Sequence, residues 1–247
     1  MLYRLPVTNI IGDQGNSYYS AASEVYNIIL LISSYSLPLA VSKVVSAKVA
    51  LGEHKNAWRS FKAAMYMSLV VGAVASAITF FGAGFFTGTL LNTPESELCL
   101  KVLALAIFVM AVMGVLRGYF QGMGTMIPSA VSQIIEQIVN AVVSVIAAYE
   151  LTVYGVSISK MSKLGESAGP AYGAAGGTLG TLTGAIAALI IVVIVFWNSY
   201  GNIKKPIRKD KTKVEDSYAT ITKVIIFTIT PVLISSTIYN ISNLLDN

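Results

Sequence analysis

The chain has 247 residues, of which 55% are hydrophobic and only 12% charged, about half the charge of a soluble protein. With a mean hydropathy of +0.69, this excludes an ordinary soluble globule and points to a polytopic membrane protein. The formal net charge of +5 does not indicate nucleic acid, because the basic residues sit in two short blocks between apolar runs, where membrane orientation explains them.

The opening MLYRLPVTNIIGDQGNSYY has no apolar run behind a basic start, so it is not a signal peptide and reads as the end of something longer. Crossing the hydrocarbon core takes about 20 helical residues. Stretches of that length run roughly from Ser20 to Val41, Ala63 to Leu91, Leu98 to Phe120, Ser132 to Val153 and Tyr172 to Trp197. A further stretch, Tyr218 to Leu245, contains Pro231 as a kink and ends just before the chain does. The expected fold is therefore an all-α, polytopic transmembrane helical bundle with five full spans plus most of a sixth, and both ends read as truncated.

Loop charge sets the expected orientation. The segment Ser42–Lys62 holds Lys43, Lys48, Lys55, Arg59 and Lys62, and the segment Asn198–Ser217 holds Lys204, Lys205, Arg208, Lys209, Lys211 and Lys213. Both are expected in the cytoplasm. The turn at Asn92–Glu97 and the connection Thr152–Pro170 face outside on this reading, which puts Arg117 on the cytoplasmic side and Arg4 on the outer side.

Polar residues inside apolar spans need a reason, since an unpaired carboxyl in hydrocarbon costs several kcal/mol. At about 100° per residue, Ser129, Gln133, Glu136, Gln137, Asn140 and Ser144 share one helix face, opposite Ile134, Ile135, Ile138 and Val142. In the first span Ser20, Glu24, Asn27, Tyr35, Pro38 and Ser42 share a face. In the last, Ser236, Tyr239, Asn240 and Asn243 do so, with Asp246 at the edge. Together these faces are expected to surround one cavity, a substrate pathway. Helix cross-linking is the plain alternative for Ser129, Ser144 and Ser236, whereas intramembrane carboxylates such as Glu24 and Glu136 are rare and functional more often than not. Glu150 reads as interfacial.

Arg117 beside Tyr119 and Phe120 fits either snorkelling or pairing with a lipid pyrophosphate. Arg4 leans toward cavity lining because it precedes the expected turn LPVTNIIG. Gly176, Gly180 and Gly184 form a ridge of small residues, which reads first as close helix packing and second as a mobile gate. Pro38, Pro128 and Pro231 are bending points or simple helix ends.

Several chemistries are missing. There is no GxxxxGK[ST] phosphate loop, no CxxC or HExxH metal spacing, and the single histidine, His54, lies in a basic loop and reads as solvated. The single cysteine, Cys99, reads as a packing residue. No enzyme activity and no cofactor or metal are expected, and any transport must draw on an ion gradient, the membrane potential or the substrate's own gradient.

The runs RLPVTNIIGDQGNSYY, LPLAVSKVVS, RGYFQGMGTMIPSAVSQIIEQIVN and GAAGGTLGTLTGA resemble the polysaccharide-biosynthesis, or oligosaccharide flippase, family. This group includes the stage V sporulation protein B-like proteins and the lipid II flippases of the multidrug/oligosaccharidyl-lipid/polysaccharide exporter superfamily. The resemblance covers essentially the whole chain and is most specific in the RGYFQG…P…SQ…EQ run. It implies about fourteen transmembrane helices in two lobes around a central cavity. Residues 1–217 would then be an N-terminal lobe lacking its first helix, and residues 218–247 the truncated start of the second. It also implies an undecaprenyl-linked sugar as substrate, moved from the cytoplasmic to the outer leaflet by alternating access, with membrane lipids, a missing second lobe and a coupling cation as partners. Arg4 and Arg117 would match positions on or near the cavity, and Glu136 the acid of the EQ pair. The chain departs from the family pattern at Asn140, where many members carry arginine. Two other functions remain open: a cation-coupled multidrug exporter of the same superfamily, and a non-transporting scaffold for cell-envelope synthesis.

Overall fold

A computed structural model describes residues 4–31, 33, 36–162, 167–210, 212 and 215–245, apart from the side chains of residues 160–162, 232, 233 and 235–245. The helices are α1 (Arg4–Leu30), α2 (Leu37–Ala50), α3 (His54–Gly84), α4 (Glu97–Gly122), α5 (Ile127–Ser162), α6 (Ala168–Lys209) and α7 (Tyr218–Leu245). No strand occurs among the described residues, and the fold is an all-α polytopic membrane bundle. Four stretches among them, His54–Leu90, Pro94–Gly122, Ile127–Ser159 and Ala168–Lys209, are long and apolar enough to cross a membrane.

The first apolar stretch departs from expectation. In place of one helix over 20–41, α1 ends at Leu30 and α2 starts at Leu37. Pro38 sits in the first turn of α2, where its missing N–H needs no partner, whereas a helix running through it would lose a bond and meet a steric clash. The expected turn after Arg4 is itself helical as far as Gly12, whose φ of 69° and ψ of −177° bend α1 into backbone territory that is essentially glycine's alone. Helices also overrun the expected loops. Asn198–Ser217 stays helical to Lys209, and Ser42–Lys62 is mostly α2 and α3 around a turn at Gly52, φ 75°. Lysine and arginine favour helix, so a basic block marks the exit from hydrocarbon rather than the end of the helix.

The chain forms two compact units, Met1–Ile29, Ala73–Val109 and Ser132–Leu189 in the first, and Leu30–Gly72, Met110–Val131 and Ile190–Asn247 in the second. In the first, Val7 and Ile11 of α1 bury against Ala148 of α5, with Tyr19 and Val145 alongside. The glycines of α6 lie directly on α5. A Cβ added at Gly184 would stand 2.7 Å from the Glu136 carbonyl oxygen, and one at Gly180 would stand 2.7 Å from the Asn140 carbonyl oxygen and collide with Ser144 Oγ. At Gly176 it would collide with the Ala147 carbonyl. Only glycine permits this backbone-to-backbone approach.

The second unit is held differently. Phe61 packs on Tyr119 at 4.5 Å between ring centroids, on Trp58 at 5.2 Å and on Phe196 at 5.4 Å, joining α3, α4 and α6 through aromatic contact. Here too a glycine allows a crossing, since a Cβ at Gly118 would stand 2.5 Å from the Pro38 carbonyl oxygen. The segment before α7 is tied to the α2–α3 turn. Lys48 Nζ lies 2.6 Å from Asp216 and 2.9 Å from Glu53. Arg59 pairs with Glu215 and donates through Nε to the Asp216 carbonyl at 3.0 Å. The Asp216 N–H donates to Asn56 Oδ1 at 3.0 Å, and the Lys55 N–H to Asp210 at 2.7 Å. Donation from the Thr212 side chain and from the Lys55 amide lowers the Asp210 carboxyl to about 2, and the hydrogen bond to Asp216 raises the Lys48 ammonium above its ordinary value. His54 is not fully solvated as expected: its Nδ1 is shielded from solvent and has no hydrogen-bond partner among the described residues.

Candidate functional site

Helix α1 beyond the Gly12 bend presents Ser20, Glu24 and Asn27 on one face, flanked by Tyr19, Ser23 and Tyr26. Within the first unit these side chains, together with Arg4, face Glu136, Gln137 and Asn140 of α5 and Thr181 of α6 across a cavity of about 510 Å³, with Leu103 of α4 at its wall. Glu24, Asn27 and Gln137 are exposed, Glu136 is half-buried, and Tyr26 and Asn140 are buried. The Arg4 guanidinium carbon lies 5.9 Å from the centre of the Tyr19 ring, within cation–π range. Among the described residues the charged groups of the lining are one guanidinium and two carboxylates, and the others are hydroxyl, amide and aromatic groups with Leu103.

The back of the site is fixed by α5 and α6. Ser144 Oγ lies 2.9 Å from both Asn140 Oδ1 and the Gly177 carbonyl oxygen, yet a hydroxyl has one proton to give. Both contacts are satisfied when the Asn140 amide nitrogen, interchangeable in shape with its oxygen, donates to Ser144 Oγ while the hydroxyl donates to Gly177. Ser144 therefore ties the two helices together and braces Asn140. On the other side of α5, Ile134, Ile138 and Val142 are exposed, as an apolar face toward lipid requires.

Of the residues singled out in the sequence, Arg4, Glu24, Asn27, Glu136, Gln137 and Asn140 meet at this cavity. Gln133, on the same α5 face, is exposed and does not line it. Arg117 belongs to the second unit, where its carbonyl accepts from Ser129 Oγ at 3.4 Å. The side chains of Asn240 and Asn243 lie outside the described residues, as do Tyr35 and Asp246. Gly176, Gly180 and Gly184 occupy the α5–α6 contact, Pro38 opens α2, and Pro231 lies inside α7 beside a groove shared with Leu39 and Lys43. Among the described residues no group of three or more His, Cys, Asp or Glu could hold a metal ion. The cavity can hold a hydroxylated or amide-bearing ligand by hydrogen bonds.

The family model for polysaccharide biosynthesis proteins matches residues 1–247. The chain belongs to this family. Two relatives in Bacillus subtilis (strain 168) are the lipid II flippase MurJ, 31% identical over 150 residues covering 58% of this chain and 28% of that protein, and stage V sporulation protein B, 26% identical over 153 residues covering 62% and 30%. A third, the uncharacterized membrane protein YabM, is 29% identical over 162 residues, covering 64% of this chain and 29% of that one. The matches thus span about three tenths of the relatives' length. No solved structure matches the chain. In this family member the sequence reading missed Tyr19, Ser23, Tyr26 and Thr181. The first three fall within about 120° of the Ser20–Glu24–Asn27 face at 100° per residue, so a wider stripe would have included them, whereas Thr181 sits in the glycine-rich run and carries no signal of its own.

Proposed function

We propose that the protein is a membrane flippase that moves an undecaprenyl-linked oligosaccharide or peptidoglycan precursor from the cytoplasmic to the outer leaflet by alternating access, and is not an enzyme. One observation carries the reading: an apolar helical bundle keeps a polar-lined cavity in which Arg4, Glu24, Asn27, Glu136, Gln137 and Asn140 converge. Family membership and the similarity to a lipid II flippase and to stage V sporulation protein B support it. The polar head of the lipid occupies the cavity while its polyprenyl tail stays in the bilayer, so the charged part crosses without entering hydrocarbon. Gly176, Gly180 and Gly184 serve the close α5–α6 packing, and Pro38 and Pro231 serve as bending points. The basic segments at Ser42–Lys62 and Asn198–Ser217 face the cytoplasm on this reading.

The presence of Tyr19, Tyr26 and two carboxylates in the lining favours one second reading, a cation-coupled multidrug exporter, whose cargo is cationic and aromatic. The deciding experiment is to measure translocation of a fluorescent lipid-linked precursor beside dye efflux in cells expressing the gene. Translocation lost in Glu136→Gln supports the flippase, and efflux without translocation replaces it with the exporter.

A further inference from the structure

We infer that the groove between α2 and α7, within the second unit, holds an anionic phospholipid of the surrounding bilayer. Its phosphate meets Lys43 and Lys223, and one acyl chain lies against Leu39, Phe227 and Pro231. The groove has a volume of about 450 Å³ and is lined by Leu39, Lys43, Val224, Phe227, Thr228 and Pro231. Leu39 and Lys43 share a face of α2 at i and i+4, and Val224, Phe227, Thr228 and Pro231 share a face of α7 at i, i+3, i+4 and i+7. Thr228 donates its proton to the Val224 carbonyl at 2.8 Å, so it offers an incoming molecule an acceptor oxygen and no free proton. Leu39, Val224 and Phe227 are 57%, 45% and 66% exposed, which leaves the apolar walls accessible to a hydrocarbon chain.

The groove is charged at one end and apolar at the other. Lys48, in the last turn of α2, lies 2.6 Å from Asp216, just before α7, so α2 runs toward that tie and α7 away from it. At about 1.5 Å per residue, Lys43 and Lys223 stand roughly 8–11 Å from the tied helix ends, and Leu39, Phe227 and Pro231 roughly 13–20 Å from them. The tied end carries Glu53, Arg59, Glu215 and Asp216 in ion pairs, a charged set that belongs outside hydrocarbon. Ammonium groups near the headgroups, with apolar walls running inward, reproduce the layout of a phospholipid. Charge then selects the class of lipid. Among the described residues Lys48, Arg59 and Lys101 each pair with a carboxylate, whereas Lys43 and Lys223 pair with none. The Lys223 ammonium lies 5.9 Å from the centre of the Phe227 ring, beside the wall of the groove itself. Two uncompensated positive charges attract a headgroup of net negative charge and gain little from a zwitterionic one. A protein helix seated here would have to bring carboxylates to match both lysines or desolvate them unpaired. Phospholipid surrounds the chain at far higher concentration than any minor lipid, so mass action favours it as the occupant.

The test places the purified chain in phosphatidylcholine nanodiscs and compares two photoactivatable probes at equal mole fraction, phosphatidylglycerol and phosphatidylcholine, each with a diazirine midway along one acyl chain. Adducts are mapped by mass spectrometry. On Leu39 and the stretch 224–231 the anionic probe should label at least about threefold more than the zwitterionic one. In the Lys43→Gln, Lys223→Gln double variant that ratio should fall to about one. The Lys204→Gln, Lys205→Gln pair, at exposed positions of α6, should leave the ratio unchanged, which separates the groove from general attraction to basic segments. If the first double variant does not fold, Lys223→Gln alone, also at an exposed position, must lower the ratio. Equal labelling by the two probes, a ratio untouched by removing the lysines, or no labelling from either because another segment or a second copy covers the groove overturns the inference. Displacement of the label by an unlabelled lipid-linked diphosphate at about a tenth of the phosphatidylglycerol concentration would assign the groove to that lipid and overturn it as well.

Discussion

The two units handle polar groups in opposite ways. In the second, polar and charged side chains are spent on one another: Lys48, Glu53, Asn56, Arg59, Glu215 and Asp216 form a linked set that pins the segment before α7. In the first, Glu24, Asn27 and Gln137 remain exposed around a cavity while glycines bring α5 and α6 together behind it. Polarity alone therefore did not mark the site. What separates the two is where the polar groups sit, around a cavity in the first unit and across the α2–α3 turn in the second.

The comparison is broken most severely at the glycine contact. Gly180→Val forces a branched side chain into Ser144 and the Asn140 carbonyl, and should lower unfolding stability by about 3 kcal/mol, read as a large drop in the thermal midpoint in detergent. A midpoint near that of the parent would mean that α5 and α6 are not in backbone contact. Ser144→Ala is the next largest, because it leaves the buried Gly177 carbonyl and the Asn140 amide short of a partner, at a cost of about 1–3 kcal/mol. In the second unit Asp216→Asn weakens the pair with Lys48, whose side chains are 27% and 25% exposed, so only about 1 kcal/mol is expected. Its effect should shrink in high salt, whereas that of Ser144→Ala should not.

Acid sharpens the contrast through Asp210. Its folded value is lowered from 3.8 to about 2. A depressed carboxylate contributes stability above its unfolded value, and that contribution is lost as the pH falls from about 4 through about 2. Lys48 has the opposite sign: its raised value keeps its contribution intact below its ordinary 10.5 and loses it only at more alkaline pH. Amide exchange of Lys55 should therefore lose protection, relative to amides inside the same helix, below about pH 4. Unchanged relative protection down to pH 2 would contradict the assignment of the Asp210 bond. Smallest of all is Gly201→Ala, with nothing within 4 Å of the added carbon, which should be neutral or stabilise α6 by up to about 1 kcal/mol.

Much of this was legible in the sequence, and the misses have physical causes. The bounds of α7 match the Tyr218–Leu245 stretch, and α4 differs from Leu98–Phe120 by a residue or two, because apolar composition changes abruptly at those ends. Helices α5 and α6 exceed their apolar cores, since hydrocarbon thickness limits the apolar stretch and not the helix. The stripe from Ser20 to Ser42 was counted along a single helix. With α1 ending at Leu30 and α2 starting at Leu37, Glu24 and Asn27 keep their face, while Pro38 and Ser42 belong to another element. The meeting of Glu24 with Glu136 depends on α1 docking through Val7 and Ile11, a long-range contact that periodicity within one helix does not report. Arg117 and Glu136 stand close in sequence but in separate units, because the division falls inside α5, between Val131 and Ser132, beyond the α4–α5 turn.

Thiol labelling tests the central claim most directly, that this α5 face lines a watered cavity for a lipid-linked sugar. In a Cys99→Ala background, cysteine is placed at Gln137, in the cavity lining, or at Ile138, on the exposed apolar face, and each is treated with a membrane-impermeant maleimide in vesicles. Thiolate forms in water and not in hydrocarbon, so position 137 should react at least about tenfold faster than position 138, and a lipid-linked precursor should slow it. Equal labelling at the two positions, or labelling at 137 that the precursor leaves unchanged, would contradict the account.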